Sequence, residues 1–166
     1  MAVLTITNPG VLFALWGKPT KWDADRVTEQ LMRLRAEAGR PITYIARIPI
    51  NAPAPEADVR RYMDSLMPKF VECCSTYHVI LEGKGFVAAL KRGVLLSLFQ
   101  LGWRRGTFFV HAYSTEVVHK LPRESQAEIA DVLERARVAG FLTADAPSTI
   151  PPPGAKAAAV RQSASP

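Results

Sequence analysis

Residues 41–74, PITYIARIPINAPAPEADVRRYMDSLMPKFVECC, pass from an apolar extended run through a proline-punctuated loop into a helical pattern. The run Ile42 to Ile50 is rich in β-branched and aromatic residues and almost continuously apolar, as a central strand covered on both faces must be. In sheets of this kind loop backbone and helix N-termini meet where a central strand hands over to its helix, and sites are commonly built there. Here that place is Asn51 to Asp58. It holds no Ser, Thr, Cys, His or Lys, so it offers neither a nucleophile nor a lysine for gripping phosphate.

Working outward, Val3–Thr7 and Val11–Trp16 are short apolar runs separated by Asn8-Pro9-Gly10, a turn signal that predicts an antiparallel hairpin. Asp23 is the expected N-cap of a first helix that directs Val27, Leu31, Leu34 and Ala38 inward and stops at Gly39. After the central strand, Pro55 suits the first turn of a second helix carrying Val59, Met63, Leu66, Phe70 and Cys73. Pro68 is expected to kink or divide that helix near Asp64, because it removes a hydrogen bond. Residues 75–81 end in an apolar Val79-Ile80-Leu81 and predict a strand, and Glu82-Gly83-Lys84-Gly85 turns the chain into a third helix. A last strand from Gly106 to Tyr113, a short helical segment at 114–121 and an amphipathic helix from Pro122 to Gly140, with Ile129, Val132, Leu133 and Ala136 inward, complete the pattern.

The third helix, Phe86 to Leu101, bears apolar residues around most of its circumference, whereas a surface helix needs only one apolar stripe. Which side of it faces out is open in the sequence: if the inward stripe includes Phe86, Leu90, Val94 and Leu98, then Val87, Leu95 and Phe99 lie partly outward, to be covered by a neighbouring helix, a second subunit or a ligand. From Thr143 the chain is TADAPSTIPPPGAKAAAVRQSASP, too poor in apolar surface to fold, so a domain at 1–142 and a flexible tail at 143–166 are expected. Removing everything after Gly140 is expected to leave the melting temperature within a few degrees.

The 166 residues suit one domain plus a tail. Twenty-one basic against 15 acidic residues give a net charge of +6, but no run of four basic residues occurs, so nucleic acid is disfavoured as a partner. The two cysteines, Cys73 and Cys74, are adjacent and do not suit an ordinary mutual disulfide, which fits a reducing, cytoplasmic setting. The N-terminus lacks the basic and apolar regions of a signal peptide. The most apolar stretch, Gly85 to Gly102, is interrupted by Lys91 and Arg92 and only reaches the lower end of the ~17 to 25 residues that span a bilayer.

The resulting fold class is α/β: a single mixed sheet with a leading β-hairpin, then alternating helices and strands, flanked by about four helices. Over Ala2 to Gly140 this element order resembles the STAS domain, the fold of anti-sigma-factor antagonists and of sulfate-transporter C-terminal domains, and is similar to small CRAL-TRIO-like lipid-binding proteins. The resemblance implies a bacterial regulatory module that works by binding a protein. In antagonist-type STAS proteins a phosphorylatable Ser or Thr sits where the third strand passes into the second helix. The matching stretch here, Asn51 to Glu56, has no hydroxyl, so the phosphoswitch is withheld while partner binding is retained.

No catalytic constellation emerges. Ser75, His78 and Asp58 compose a triad only on paper, without a nucleophile elbow. Cys73, Cys74 and His78 do not have the spacing of a zinc half-site, and no second ligand pair occurs, so no metal and no cofactor are assigned. Lys84 at the turn before the third helix, with Arg104 and Arg105 beside Trp103, offers an anion or lipid-headgroup contact. The expected function is therefore non-enzymatic: a regulatory or scaffold module that binds another protein, or a second copy of itself as a homodimer, through its second and third helices. Asn51, Glu56, Arg60, Val87, Lys91, Leu95 and Phe99 are its expected contact residues. A small carrier of an apolar or lipid-like ligand, with Lys84, Arg104 or Arg105 at the headgroup, is the alternative.

Overall fold

The computed structural model describes residues 3–83, 88–93, 107–121 and 123–142. The Pro9-Gly10 turn closes a two-residue hairpin in which β1 (Leu4–Asn8) runs antiparallel to β2 (Val11–Leu15), Asn8 opposite Val11 and Leu4 opposite Leu15. Gly10 takes a φ of +79°, which a side chain would oppose and glycine accepts. Beyond the hairpin every strand pairing is parallel: β3 (Ile42–Arg47) on β2, β4 (Cys74–Ile80) on β3 and β5 (Phe108–His111) on β4. The five strands lie in chain order, β1-β2-β3-β4-β5, so the Ile42 strand is the middle one, as its two-sided apolarity requires.

Each parallel step is bridged by helix. α1 (Lys21–Ala38) joins β2 to β3, and α2 (Ala57–Cys73) joins β3 to β4. Residues 88–93 are helical between β4 and β5, here called α3. After β5 come the short α4 (Thr115–His119) and α5 (Arg123–Val138). α1 and α2 pack on one another over one face of the sheet, where Leu12, Tyr44, Val79, Val27, Leu31 and Phe70 belong to one buried cluster. α4 and α5 cover the other face: Phe13, Ile45 and Ile80 meet Val117, Ile129 and Val132, and α5 reaches back to β1 and β2. The alternation of side chains along each strand thus feeds two separate cores.

The inward stripe of α1 is as expected, with Val27, Leu31 and Leu34 buried and Gly39 left-handed at its end. Its start is not. Thr20 is the N-cap and Asp23 the third helical residue, and the two form a reciprocal capping box in which Thr20 Oγ1 accepts from the Asp23 N–H and Asp23 Oδ2 accepts from the Thr20 N–H. Asp23 is buried because its other oxygen accepts from the Val3 N–H, tying the first strand to α1. Pro55 lies outside α2, whose N-cap is Glu56. Pro68 does not divide α2. Both Pro68 and Asp64, whose carbonyl loses its donor, lie on the exposed side, where solvent substitutes for the missing bond.

α5 ends in a Schellman motif: Gly140 takes a φ of +73° and donates to the Arg137 carbonyl, while the Phe141 N–H reaches back to Ala136. That reversal places Leu142, 5% exposed, in the core under α5. A cut after Gly140 therefore removes core, and the expectation that it is harmless is corrected. The tail expected at 143–166 lies outside the described residues.

Candidate functional site: the carboxyl rim of the sheet

Four parallel strands end along one rim, and charged pairs link the segments that leave β2, β3 and β4. Arg47, at the end of β3, donates through Nε and Nη2 to Glu82 Oε2 just past β4, at 3.2 and 2.7 Å, with both side chains only 14% exposed. Lys18, after β2, pairs with Glu56 at 2.8 Å, and Lys21 at the start of α1 pairs with Asp58 at 3.0 Å. The hydrogen bond to Glu56, aided by its charge, raises the Lys18 ammonium above its ordinary range; the bond from Lys21, with the Val59 N–H, lowers the Asp58 carboxyl. Glu56 makes no side-chain cap of its own helix. It is an ion-pair partner across the rim instead.

The sequence-predicted contact residues divide accordingly. Asn51, Glu56 and Arg60 are exposed on the loop and first turns of α2, and Arg60 has no ion-pair partner among the described residues. Lys91 joins them from α3, its Nζ donating to the Ile50 carbonyl at 3.0 Å. Val87, Leu95 and Phe99, and the anion contacts Lys84, Arg104 and Arg105, lie outside the described residues.

Over 88–93 the burial of α3 runs opposite to a stripe of Phe86, Leu90, Val94 and Leu98. Ala88 is buried, and Arg92 turns inward to donate to the carbonyls of Leu81 and Gly83 at 3.1 and 3.0 Å. Leu90, inward in one of the two arrangements the sequence leaves open, is 56% exposed. The inward guanidinium is a charged donor to two carbonyls just past the end of β4. Neither Arg92 nor the Arg47–Glu82 pair stands out in the sequence. The one signal there is a charged residue at the end of each of two adjacent apolar strands.

A second polar cluster lies in the sheet itself. His78 of β4 and His111 of β5 are both buried, their rings nearly parallel at 16°, with Nδ1 of His78 2.9 Å from Nε2 of His111. Phe109 stacks on His78 at 5.0 Å. Glu116 Oε2 accepts from the Ala112 N–H at 2.9 Å and lies 3.8 Å from Nδ1 of His111. Burial lowers His78 to about 3, reinforced by His111, and lowers His111 to about 4 against the opposing pull of Glu116. The paper triad is not assembled. Asp58 belongs to α2 on the opposite face from His78, and Ser75 Oγ donates to the Ile42 carbonyl.

Cys73 and Cys74 are free, buried thiols, both raised chiefly by burial, at the junction where α2 becomes β4. Among the described residues no three His, Cys, Asp or Glu side chains converge to hold a metal, and no helix is long and apolar enough to cross a membrane. At the amino end of the sheet, Met32 and Arg35 of α1 with Lys69, Glu72 and Cys73 of α2 line an open groove of about 510 Å³. No family model, no curated protein and no solved structure matches this chain.

Proposed function

We propose that the chain is a non-enzymatic regulatory or scaffold module, STAS-like in its element order, that binds a protein partner or a second copy of itself in the cytoplasm. The contact surface is the carboxyl rim together with the outer sides of α2 and α3. The observation that carries this reading is the exposed Leu90 on a helix whose inward side is held by Arg92. A helix fixed by a cation while a leucine faces out gains from a partner that covers the leucine. Ion pairs Lys18–Glu56 and Lys21–Asp58 hold the neighbouring loop and the start of α2 in place, which lowers the ordering cost of association. The loop in the position of the antagonist phosphosite offers Asn51 and Glu56 and no hydroxyl, so association through it is constitutive.

Light scattering after size exclusion and native mass spectrometry, on the wild-type protein and on Leu90→Asp, test the reading. The expected result is a wild-type dimer or a copurified protein, lost in a variant whose circular dichroism is unchanged. Wild-type protein that stays monomeric and partner-free at every concentration overturns it, and a retained small apolar mass in its place supports the ligand-carrier reading.

A further inference from the structure

Glu116, His111 and His78 form a line from the surface into the sheet. The Glu116 side chain is 45% exposed; His111 is 3% exposed and His78 fully buried. At the inner end, Nε2 of His78 is buried with no hydrogen-bond partner among the described residues. Its strand neighbours on that face are Ile45, directly across the register, and Ile80, two residues on, and both are fully buried. An imidazole nitrogen in such surroundings needs a partner of its own, since buried polar atoms are paired in folded proteins.

The polarity of the line is set at its outer end. The carboxylate of Glu116 favours a proton on Nδ1 of His111, the nitrogen that faces it. Nε2 of His111 is then an acceptor, and the 2.9 Å contact is satisfied by a proton on Nδ1 of His78. That leaves Nε2 of His78 bare. Both rings are held neutral at pH 7 by burial, Lys120 opposing a further proton on His111, so the arrangement is not a cation in disguise. Stacking on Phe109 and His111 keeps the ring from turning its bare nitrogen elsewhere.

We propose that Nε2 of His78 is the acceptor of a buried binding site for an O–H donor, oriented through His111 by Glu116. The donor is either an internal water molecule or the hydroxyl of a small bound molecule, the two sources of the same chemistry. The site lies on the sheet face covered by α4 and α5; its outer part, at His111 where β5 stops, adjoins the carboxyl rim, but it uses none of the charged rim pairs Arg47–Glu82, Lys18–Glu56 and Lys21–Asp58.

Long-range proton–nitrogen spectra of full-length, histidine-labelled protein at pH 7 read the tautomers directly. The expected spectrum has His78 and His111 both protonated on Nδ1 and bare on Nε2. A long-lived water in contact with the His78 ring, seen by cross-relaxation, identifies the first source; a stoichiometric small-molecule mass in native mass spectrometry identifies the second. A proton on Nε2 of His78 overturns the proposal, as does a bare nitrogen with neither a long-lived water nor a bound molecule. In Glu116→Gln, where a neutral amide faces Nδ1 of His111, the tautomer populations of both rings are expected to shift. Unchanged tautomers in that variant would overturn the orienting line.

Discussion

Gly83 lies so close to Ala88 that a methyl group placed on it would come within 3.2 Å of the Ala88 Cβ and 3.5 Å of Ile50 Cγ1. Its φ of +146° is also one that side chains rarely adopt. Gly83→Ala should therefore cost about 2 kcal/mol, combining backbone strain with a displaced α3. Urea unfolding checks the loss. An unchanged midpoint would show that α3 is not seated against β4 by this contact.

Arg92 and Leu90 should respond in opposite ways. Arg92→Ala leaves the carbonyls of Leu81 and Gly83 without their charged donor and should destabilise the domain by about 1 to 2 kcal/mol. Arg92→Lys, which can still place a donor near one carbonyl, should lose less. Leu90→Asp should leave the unfolding midpoint unchanged in dilute solution, because that side chain is exposed. Equal losses for Arg92→Ala and Leu90→Asp would contradict the inverted burial.

The imidazole pair makes stability depend on acid. Both histidines have folded-state values below the ordinary 6.5 or so of the unfolded chain, at about 3 and about 4. Below pH 6.5 the unfolded state binds the extra protons, so stability is present above that value and falls as pH drops toward 4 and then 3. Between pH 7 and pH 5 each imidazole should cost about 2 kcal/mol. Denaturant unfolding at both pH values measures the slope. A His78→Phe, His111→Phe double variant should flatten it, and a slope unchanged in that variant would place the proton uptake elsewhere.

A cut after Leu142 should leave the melting temperature within a few degrees, since residues 143–166 are rich in Pro, Ala and Ser and poor in apolar side chains large enough to build a core. A cut after Gly140 should lower stability by about 2 to 4 kcal/mol, through the loss of buried Leu142 and of the Phe141 to Ala136 bond. Differential scanning calorimetry on the two truncations separates them. Equal melting temperatures would show that Leu142 contributes nothing to the core.

The parts of this architecture set by short-range pattern are readable in the chain. The apolar run from Ile42, the Val79-Ile80-Leu81 end of the next strand, the Pro9-Gly10 turn and the stripes of α1 and α5 each arise from local pattern. Thr20 and Asp23 show the limit at a boundary: both are good caps, and the reciprocal capping box together with the buried bond from Val3 seats the aspartate at the third position. The site is less legible. Glu56 and Arg60 can be placed at the rim because they adjoin the central strand, but Arg47 meets Glu82 across 35 residues and His78 meets His111 across 33. Those meetings depend on the parallel register of β3, β4 and β5, which no local spacing encodes. Apolarity around most of the third helix does not decide which side of it faces in, whereas the carbonyls at the end of β4 draw in the arginine.

The reach of α5 back to the first hairpin has a consequence for synthesis on the ribosome. One face of the sheet can be closed as soon as α1 and α2 have emerged, since its cluster draws largely on residues before β5. The other face of β1 and β2 has to wait for residues more than 120 positions downstream, where Arg135 caps the Thr7 carbonyl and Asp131 meets Asn8. A nascent chain therefore exposes Val11, Phe13 and Leu15 until α4 and α5 arrive, and ribosome stalling before them would leave a half-covered, chaperone-binding sheet.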